Sequence, residues 1–142
     1  MTGMDYWGTV YNYSQAMCES NARSEGVSER CRFLHGDARK LDFPDETFDA
    51  VVSNYVYHNI NGSDKQALLL ESLRELKKGG VFALNDDMKP HMYGNMEAFA
   101  EKLRKMGYQE VRIIDTAQEA FGSHRRAALM MLGDSRMLAG RK

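Results

Sequence analysis

Asp37, Asn54 and His58 are the side chains whose type and placement suit work on a ligand. A carboxylate is acceptor-only and takes two donors at once, so Asp37 can hold an amino group or a hydroxyl. His58 carries an imidazole, whose ordinary titration lies near neutral pH, and so can serve as a general base. Asp5 is a second acceptor near the start, closing the short run Thr2-Gly3-Met4-Asp5 ahead of Tyr6 and Trp7.

The segment from Phe33 to Ile60 positions most of these groups. It reads as a strand ending in Gly36-Asp37-Ala38, a turn around Pro44-Asp45-Glu46, and a second strand ending in Ser53-Asn54-Tyr55. Phe48 and Ala50-Val51-Val52 form an almost unbroken apolar run, which suits a strand buried on both faces of a parallel sheet. Open parallel sheets bind ligands beyond the carboxyl ends of their strands, where Asp37 and Asn54 both fall.

Around that segment the pattern alternates helix and strand. Tyr13 to Glu25 is helical, with Tyr13, Ala16, Met17 and Asn21 on one face and Gly26 at the stop. Arg30 to His35 is the strand that follows, so a right-handed parallel crossover is implied. Ser63-Asp64-Lys65-Gln66 reads as a capping box with Ser63 as N-cap, opening a helix whose buried face is Leu69, Leu70, Leu73 and Leu76. Lys77 and Lys78 suit its C-terminal end, and Gly79-Gly80 stops it. Val81 to Leu84 is then a strand, with Asp86 and Asp87 beyond it placed to cap the following turn or to touch substrate, capping being the preferred reading. Met96 to Met106 is an amphipathic helix stopped by Gly107, Glu110 to Asp115 a strand, Ser123 to Leu132 a helix with a strand as the alternative, and Arg136 to Gly140 a final strand.

The 142 residues suffice for one compact domain burying about 68–70% of the unfolded chain's surface. A hydrophobic content of 43% and a charged content of 27% are those of an ordinary globule. The formal net charge of −1 gives no electrostatic footprint for nucleic acid. No apolar run reaches the ~20 residues of a membrane span and no signal-peptide pattern opens the chain, so a cytoplasmic location is expected. Cys18 and Cys31 stand alone, and His35, His91 and His124 show no metal-ligand spacing, so no metal is expected. Ten methionines fall mostly at apolar positions, as core filling.

Gly36-Asp37-Ala38, Phe48-Asp49-Ala50-Val51, Leu76-Lys77-Lys78-Gly79-Gly80 and the closing Met137-Leu138-Ala139-Gly140 resemble a class I S-adenosylmethionine (SAM)-dependent methyltransferase over nearly the whole chain. The resemblance implies a Rossmann-like α/β three-layer sandwich, with a mostly parallel sheet and a C-terminal antiparallel strand. It implies that Asp5 accepts from the ribose hydroxyls of SAM, with Tyr6 and Trp7 near the adenine. Gly36, Asp37 and Ala38 would contact the adenine itself. Asn54 and Tyr55 would lie towards the methionine side, with Tyr57 and His58 as catalytic candidates at a small-molecule methyl acceptor. Methyl transfer depends mainly on alignment, so a base is an addition to it.

One family element has no match: the first strand, its glycine-rich cofactor loop and the first helix. In the family sheet order 3-2-1-4-5-7-6 that strand is central. A vacant central position would leave unpaired N–H and C=O groups and exposed edges. The expectation is therefore that this chain binds SAM weakly and self-associates through its N-terminal half. Two alternatives stand beside the methyltransferase: a non-catalytic binding or dimerising domain, and a nicotinamide-dependent oxidoreductase, whose fold also ends strand two with an acid.

Overall fold

The computed structural model describes residues 1–8 and 14–142. The chain falls into two compact units, Met1–Asp42 and Phe43–Lys142.

In the first unit, β1 (Thr2–Asp5), α1 (Gln15–Ser24) and β2 (Arg32–His35) form the expected strand–helix–strand crossover. The two strands pair in parallel from Thr2↔Arg32 to Asp5↔His35. The Gly36 N–H donates to the Asp5 carbonyl at 3.0 Å, which carries the ladder one step beyond β2. The strand begins at Arg32 and not Arg30 because Ser28–Arg30 is wound into a 3-10 turn. The Ser14 side chain caps α1 by accepting from the Met17 N–H, and Gly26 follows the helix at φ +66°, a left-handed position suited to glycine. Tyr13 lies outside the described residues. The expected apolar face is turned outward: Ala16, Met17 and Asn21 are exposed, while Cys18 and Ala22 are buried. Gln15 sets this rotation, because its carboxamide donates both to the Phe33 carbonyl and to Glu19. Positions 15, 18, 19 and 22 then share the inner face.

The second unit contains β3 (Phe48–Asn54), α2 (Lys65–Arg74), β4 (Leu76–Asp87), α3 (Pro90–Tyr93), α4 (Met96–Lys105), β5 (Gln109–Ile114), α5 (Thr116–Phe121), α6 (His124–Leu129) and β6 (Ser135–Arg141). Its sheet runs β3-β4-β6-β5; β3 and β4 are parallel, and β6 is antiparallel to both its neighbours. The closing antiparallel strand is thus present. The strands form two sheets, the parallel β1-β2 and the mixed β3-β4-β6-β5, an α/β arrangement with a closing antiparallel strand.

Asp64, not Ser63, caps α2, because its carboxylate reaches both the Gln66 and Ala67 N–H groups. The helix ends at Arg74, and residues 76–80 already belong to β4. Phe48 pairs with Leu76 but Ala50 pairs with Val81, so Lys77–Gly80 bulge out of the ladder opposite Asp49. Gly79 sits there at φ +78°, and a Cβ on Gly80 would come within 2.6 Å of Leu76 Cδ1 and 2.9 Å of the Asp49 carbonyl. The two glycines therefore serve a β-bulge, not a helix stop. Finally, β3 is buried on neither face throughout: Ala50 is exposed and Val52 is 77% exposed. It is the edge strand of its sheet, and Val51 and Ser53 take the half-buried side.

The core of this unit is built from Leu68, Leu69 and Leu73 of α2, Leu76, Phe82 and Leu84 of β4, Phe99, Ala100 and Leu103 of α4, and Leu138 of β6, all buried. Leu70 is only half-buried, its place taken by Leu68, and Met106 caps the end of α4 in solvent. Each such large side chain contributes about 1.5–3 kcal/mol relative to exposure. The α3 and α5 helices have no counterpart in the sequence reading.

Candidate functional site

In the first unit, the candidates gather where the parallel strands end. The Asp5 carboxylate accepts from the Trp7 N–H at 3.0 Å, and Trp7 sits in the left-handed region at φ +52°. Its indole N–H donates to the Leu34 carbonyl at 3.2 Å, pinning the turn back onto β2. Tyr6 remains 61% exposed, its ring 5.2 Å from that of His35. Gly36 leaves room for Met4: a Cβ there would lie 2.1 Å from the Met4 sulfur. Asp37 is held by Arg39, which donates its backbone N–H at 2.9 Å, Nε at 2.9 Å and Nη2 at 2.5 Å. Those side-chain bonds hold the Asp37 carboxyl below the usual carboxylate range. Ala38 follows, half-buried, in the turn closed by the Asp37–Lys40 bridge. The Arg39 clamp was missed, although an Asp-x-Arg spacing made it readable.

In the second unit, Asp86 organises the site. It lies on β4, fully buried. Its carboxylate accepts from the Tyr57 N–H at 2.8 Å and the Asp87 N–H at 2.7 Å, and its Oδ1 lies 2.5 Å from His58 Nδ1. The 3-10 turn Tyr57–Asn59 is thereby capped from a strand 28 residues further on. The sequence had assigned Asp86 to the turn after β4; it caps the turn after β3 instead. Asp87 pairs with Lys89 at 2.8 Å, which raises the lysine. Because Asp86 offers acceptors alone, Nδ1 of His58 carries the hydrogen and Nε2 is left as the basic nitrogen. The imidazole is partly exposed, 28% by side chain.

Tyr57 departs from its expected place at the acceptor. It is 3% exposed, its hydroxyl shares a hydrogen with Ser72 Oγ at 2.9 Å, and burial pushes its phenol up. That geometry is a packing role.

Asn54 and Tyr55 belong to a directional polar chain. Asn85 Nδ2 donates to Asn54 Oδ1 at 2.8 Å, so Asn85 Oδ1 is the acceptor for Thr116 Oγ1 at 3.0 Å. Ser135 Oγ lies 2.8 Å from Thr116 and 2.6 Å from the Tyr55 hydroxyl. With Thr116 committed as donor, Ser135 donates to it and Tyr55 donates to Ser135. Tyr55 reaches this position at φ +54°, a strained backbone for a bulky residue. Among the described residues, no group of three or more His, Cys, Asp or Glu is arranged for a metal. Among the same residues, no helix is long and apolar enough to cross a membrane.

Residues 2–84, more than half of the chain, match the methyltransferase domain family. The chain is 29% identical over 130 residues to the 27-O-demethylrifamycin SV methyltransferase of Amycolatopsis mediterranei, covering 89% of this chain and 46% of that one. It spans less than half the length of the curated relatives it matches first. Among solved structures, geranyl diphosphate methyltransferase in complex with SAM superposes with a TM-score of 0.66 at 14% identity, over 99% of this chain and 67% of that one. The [4+2]-cyclase SpnF does so with a TM-score of 0.62 at 21% identity, over 99% and 66%. These structural likenesses establish the Rossmann-like α/β fold, and a fold alone hosts more than one chemistry. The family assignment comes from the sequence match: the chain belongs to the methyltransferase domain family.

Proposed function

We propose that the protein transfers a methyl group from SAM to a small-molecule acceptor, with His58 taking up the acceptor's proton. The observation that carries this reading is the His58–Asp86 pair, a partly exposed imidazole whose Nδ1 is fixed at 2.5 Å by a fully buried carboxylate. A base so held keeps one tautomer and one orientation, and a general base typically contributes 10²–10⁴-fold. The kinship with a methyltransferase whose name specifies an oxygen acceptor supports an O–H nucleophile, which gains most from deprotonation.

The residues of the first unit fit the adenosine portion of SAM in part. Asp5 keeps an acceptor oxygen beyond the one used by Trp7, as two ribose hydroxyls require. Tyr6 offers an exposed ring for the base. Asp37 would have to share its oxygens with Arg39. Gly36 and Ala38 place backbone beside it. In the second unit, taken by itself, Asn54 and Tyr55 stand at the end of β3. SAM, when bound, supplies a methyl group activated by a sulfonium. The rest is done by the chain: Asp86 holds Nδ1–H, Nε2 accepts the acceptor's proton, and the resulting imidazolium is stabilised by the same carboxylate. The network from Tyr55 to Asn85 keeps the ends of β3 and β4 fixed against each other.

The test is His58→Gln in the whole protein. Turnover should fall by about a hundredfold or more with SAM affinity preserved. Turnover within a few-fold of the parent would remove His58 from the mechanism.

A further inference from the structure

We infer that the cavity beside the end of β4 binds the carboxylate of a small, largely apolar molecule, with Arg136 as its anchor; as a substrate assignment this rests on the small-molecule reading above. The cavity is open to solvent on one side, has a volume of about 360 Å³, and is lined by Met88, Pro90, Met96, Glu97 and Arg136, together with Gly94 and Asn95. That volume lies at the lower end of the range for small-molecule sites. Its walls are apolar at Met88, Pro90 and Met96, and methionine side chains adapt to ligands of irregular shape.

The charge pattern selects the ligand. Arg136 is half-buried, and among the described residues it has no acidic group within ion-pair distance. Neither Glu97, in the same cavity, nor Asp86, opposite it in the β4–β6 ladder, makes an ion pair with Arg136, so its fork is open to a ligand carboxylate through two parallel hydrogen bonds. Glu97 lines the same cavity and opposes any anion in proportion to its charge, so a monoanionic carboxylate is opposed less than a phosphate dianion.

The sheet register ties this cavity to the base. Arg136 stands directly opposite Asp86 in the antiparallel β4–β6 ladder. Opposed residues point to the same face, with Cβ atoms about 4.5–5.5 Å apart. Asp86 is the residue that holds His58. A molecule anchored at Arg136 therefore lies on the side of the sheet that carries the base.

Benzoate is the probe, titrated against the full isotopically labelled chain without SAM, with benzamide as the neutral match and phenylphosphate as the dianion. Benzoate should shift the Met88, Met96, Glu97 and Arg136 amides saturably, and benzamide should not. Arg136→Met should weaken benzoate at least tenfold, and Arg136→Lys, which keeps the charge without the fork, several-fold. Glu97→Gln should let phenylphosphate bind as well as benzoate. Absence of saturable shifts with benzoate, or equal binding by parent and Arg136→Met, would overturn the assignment, as would equal binding of benzamide. The titration reads neither SAM binding nor turnover, so it can fail while the His58 test succeeds, and the reverse.

Discussion

The two units of this chain are built on the same parallel strand pairing but not on comparable cores. Among the described residues of Met1–Asp42 the buried apolar side chains are Cys18, Ala22 and Leu41, each 6–8% exposed. In Phe43–Lys142, Leu69, Leu73, Leu76, Leu84, Leu103 and Leu138 are at 0% and Phe99 is at 1%. A two-stranded sheet with one helix cannot surround a side chain, whereas four strands packed by α2, α4 and α5 can. Stability should therefore reside in the second unit, while the first carries the adenosine-side candidates on a lightly buried frame.

The largest effect that tests this contrast is a core truncation in each unit. Phe99→Ala should cost about 3–5 kcal/mol, the usual range for a fully buried Phe. Cys18→Ala in the first unit should cost about 1 kcal/mol or less, the centre of the range for single substitutions. Urea unfolding of both variants measures the two costs. In hydrogen exchange the β1 and β2 amides should open well before those of β4. Equal costs, or protection in β1 matching that in β4, would break the comparison.

Next in size is a pair of aspartates with opposite surroundings. Asp86→Ala strips partners from the Tyr57 and Asp87 N–H groups and from His58. Hydrogen bonds to a charged group contribute about 1.5–3 kcal/mol, so a loss of at least that size is expected from denaturation midpoints. Asp37→Ala removes a bidentate pair with Arg39 whose side chains are 35% and 55% exposed. Surface pairs contribute about 0–1 kcal/mol, so its stability should barely change. If the Asp37 variant proved the less stable, the N-terminal frame would be more tightly built than its burial indicates.

What was legible in the sequence follows the same division between local and distant causes. Strand identity and order could be read because apolar runs, Gly36-Asp37 and the closing Met137–Gly140 are local patterns. The end of α2 could not, since Lys77-Lys78-Gly79-Gly80 has the composition of a helix stop. Pairing of Phe48 with Leu76 and Ala50 with Val81 makes it a bulge, a fact of partner register. The His58–Asp86 contact spans 28 residues and depends on that register, so nothing near His58 announced it. Two missed helices did carry signals: Pro90 at the first position of α3, and Asp115 before α5 with Gly122 left-handed after it. The rotation of α1 turned on the single side chain of Gln15, which periodicity of apolar residues cannot weigh.

The smallest expected effect separates surface groups by the sign of their response to pH. His124 Nδ1 lies 2.9 Å from the Gly133 carbonyl and Nε2 lies 2.9 Å from Asp115 Oδ2, both of them acceptors. Both ring nitrogens must donate, so the imidazolium is the form that ties the N-cap of α5 to the turn after α6. The Gly133 carbonyl first, then the Asp115 charge, raise the His124 pKa, against opposing contributions from desolvation and, less, from Arg136. A raised folded value gives stability that is fully present below the unfolded pKa, about 6.5, and is lost as pH rises through the folded value. Asp37 in the first unit runs the other way: its lowered value gives stability present above about pH 3.9 and lost as pH falls through the folded value. Asp49, held down by Lys77, adds an acid-side response to the second unit, so the histidine must be isolated by difference. Urea midpoints of the parent and His124→Gln, compared from pH 5 to 9, should differ most at the acid end and converge above the folded pKa. A difference that stayed constant across that range would mean that the ring contributes by packing and not by charge.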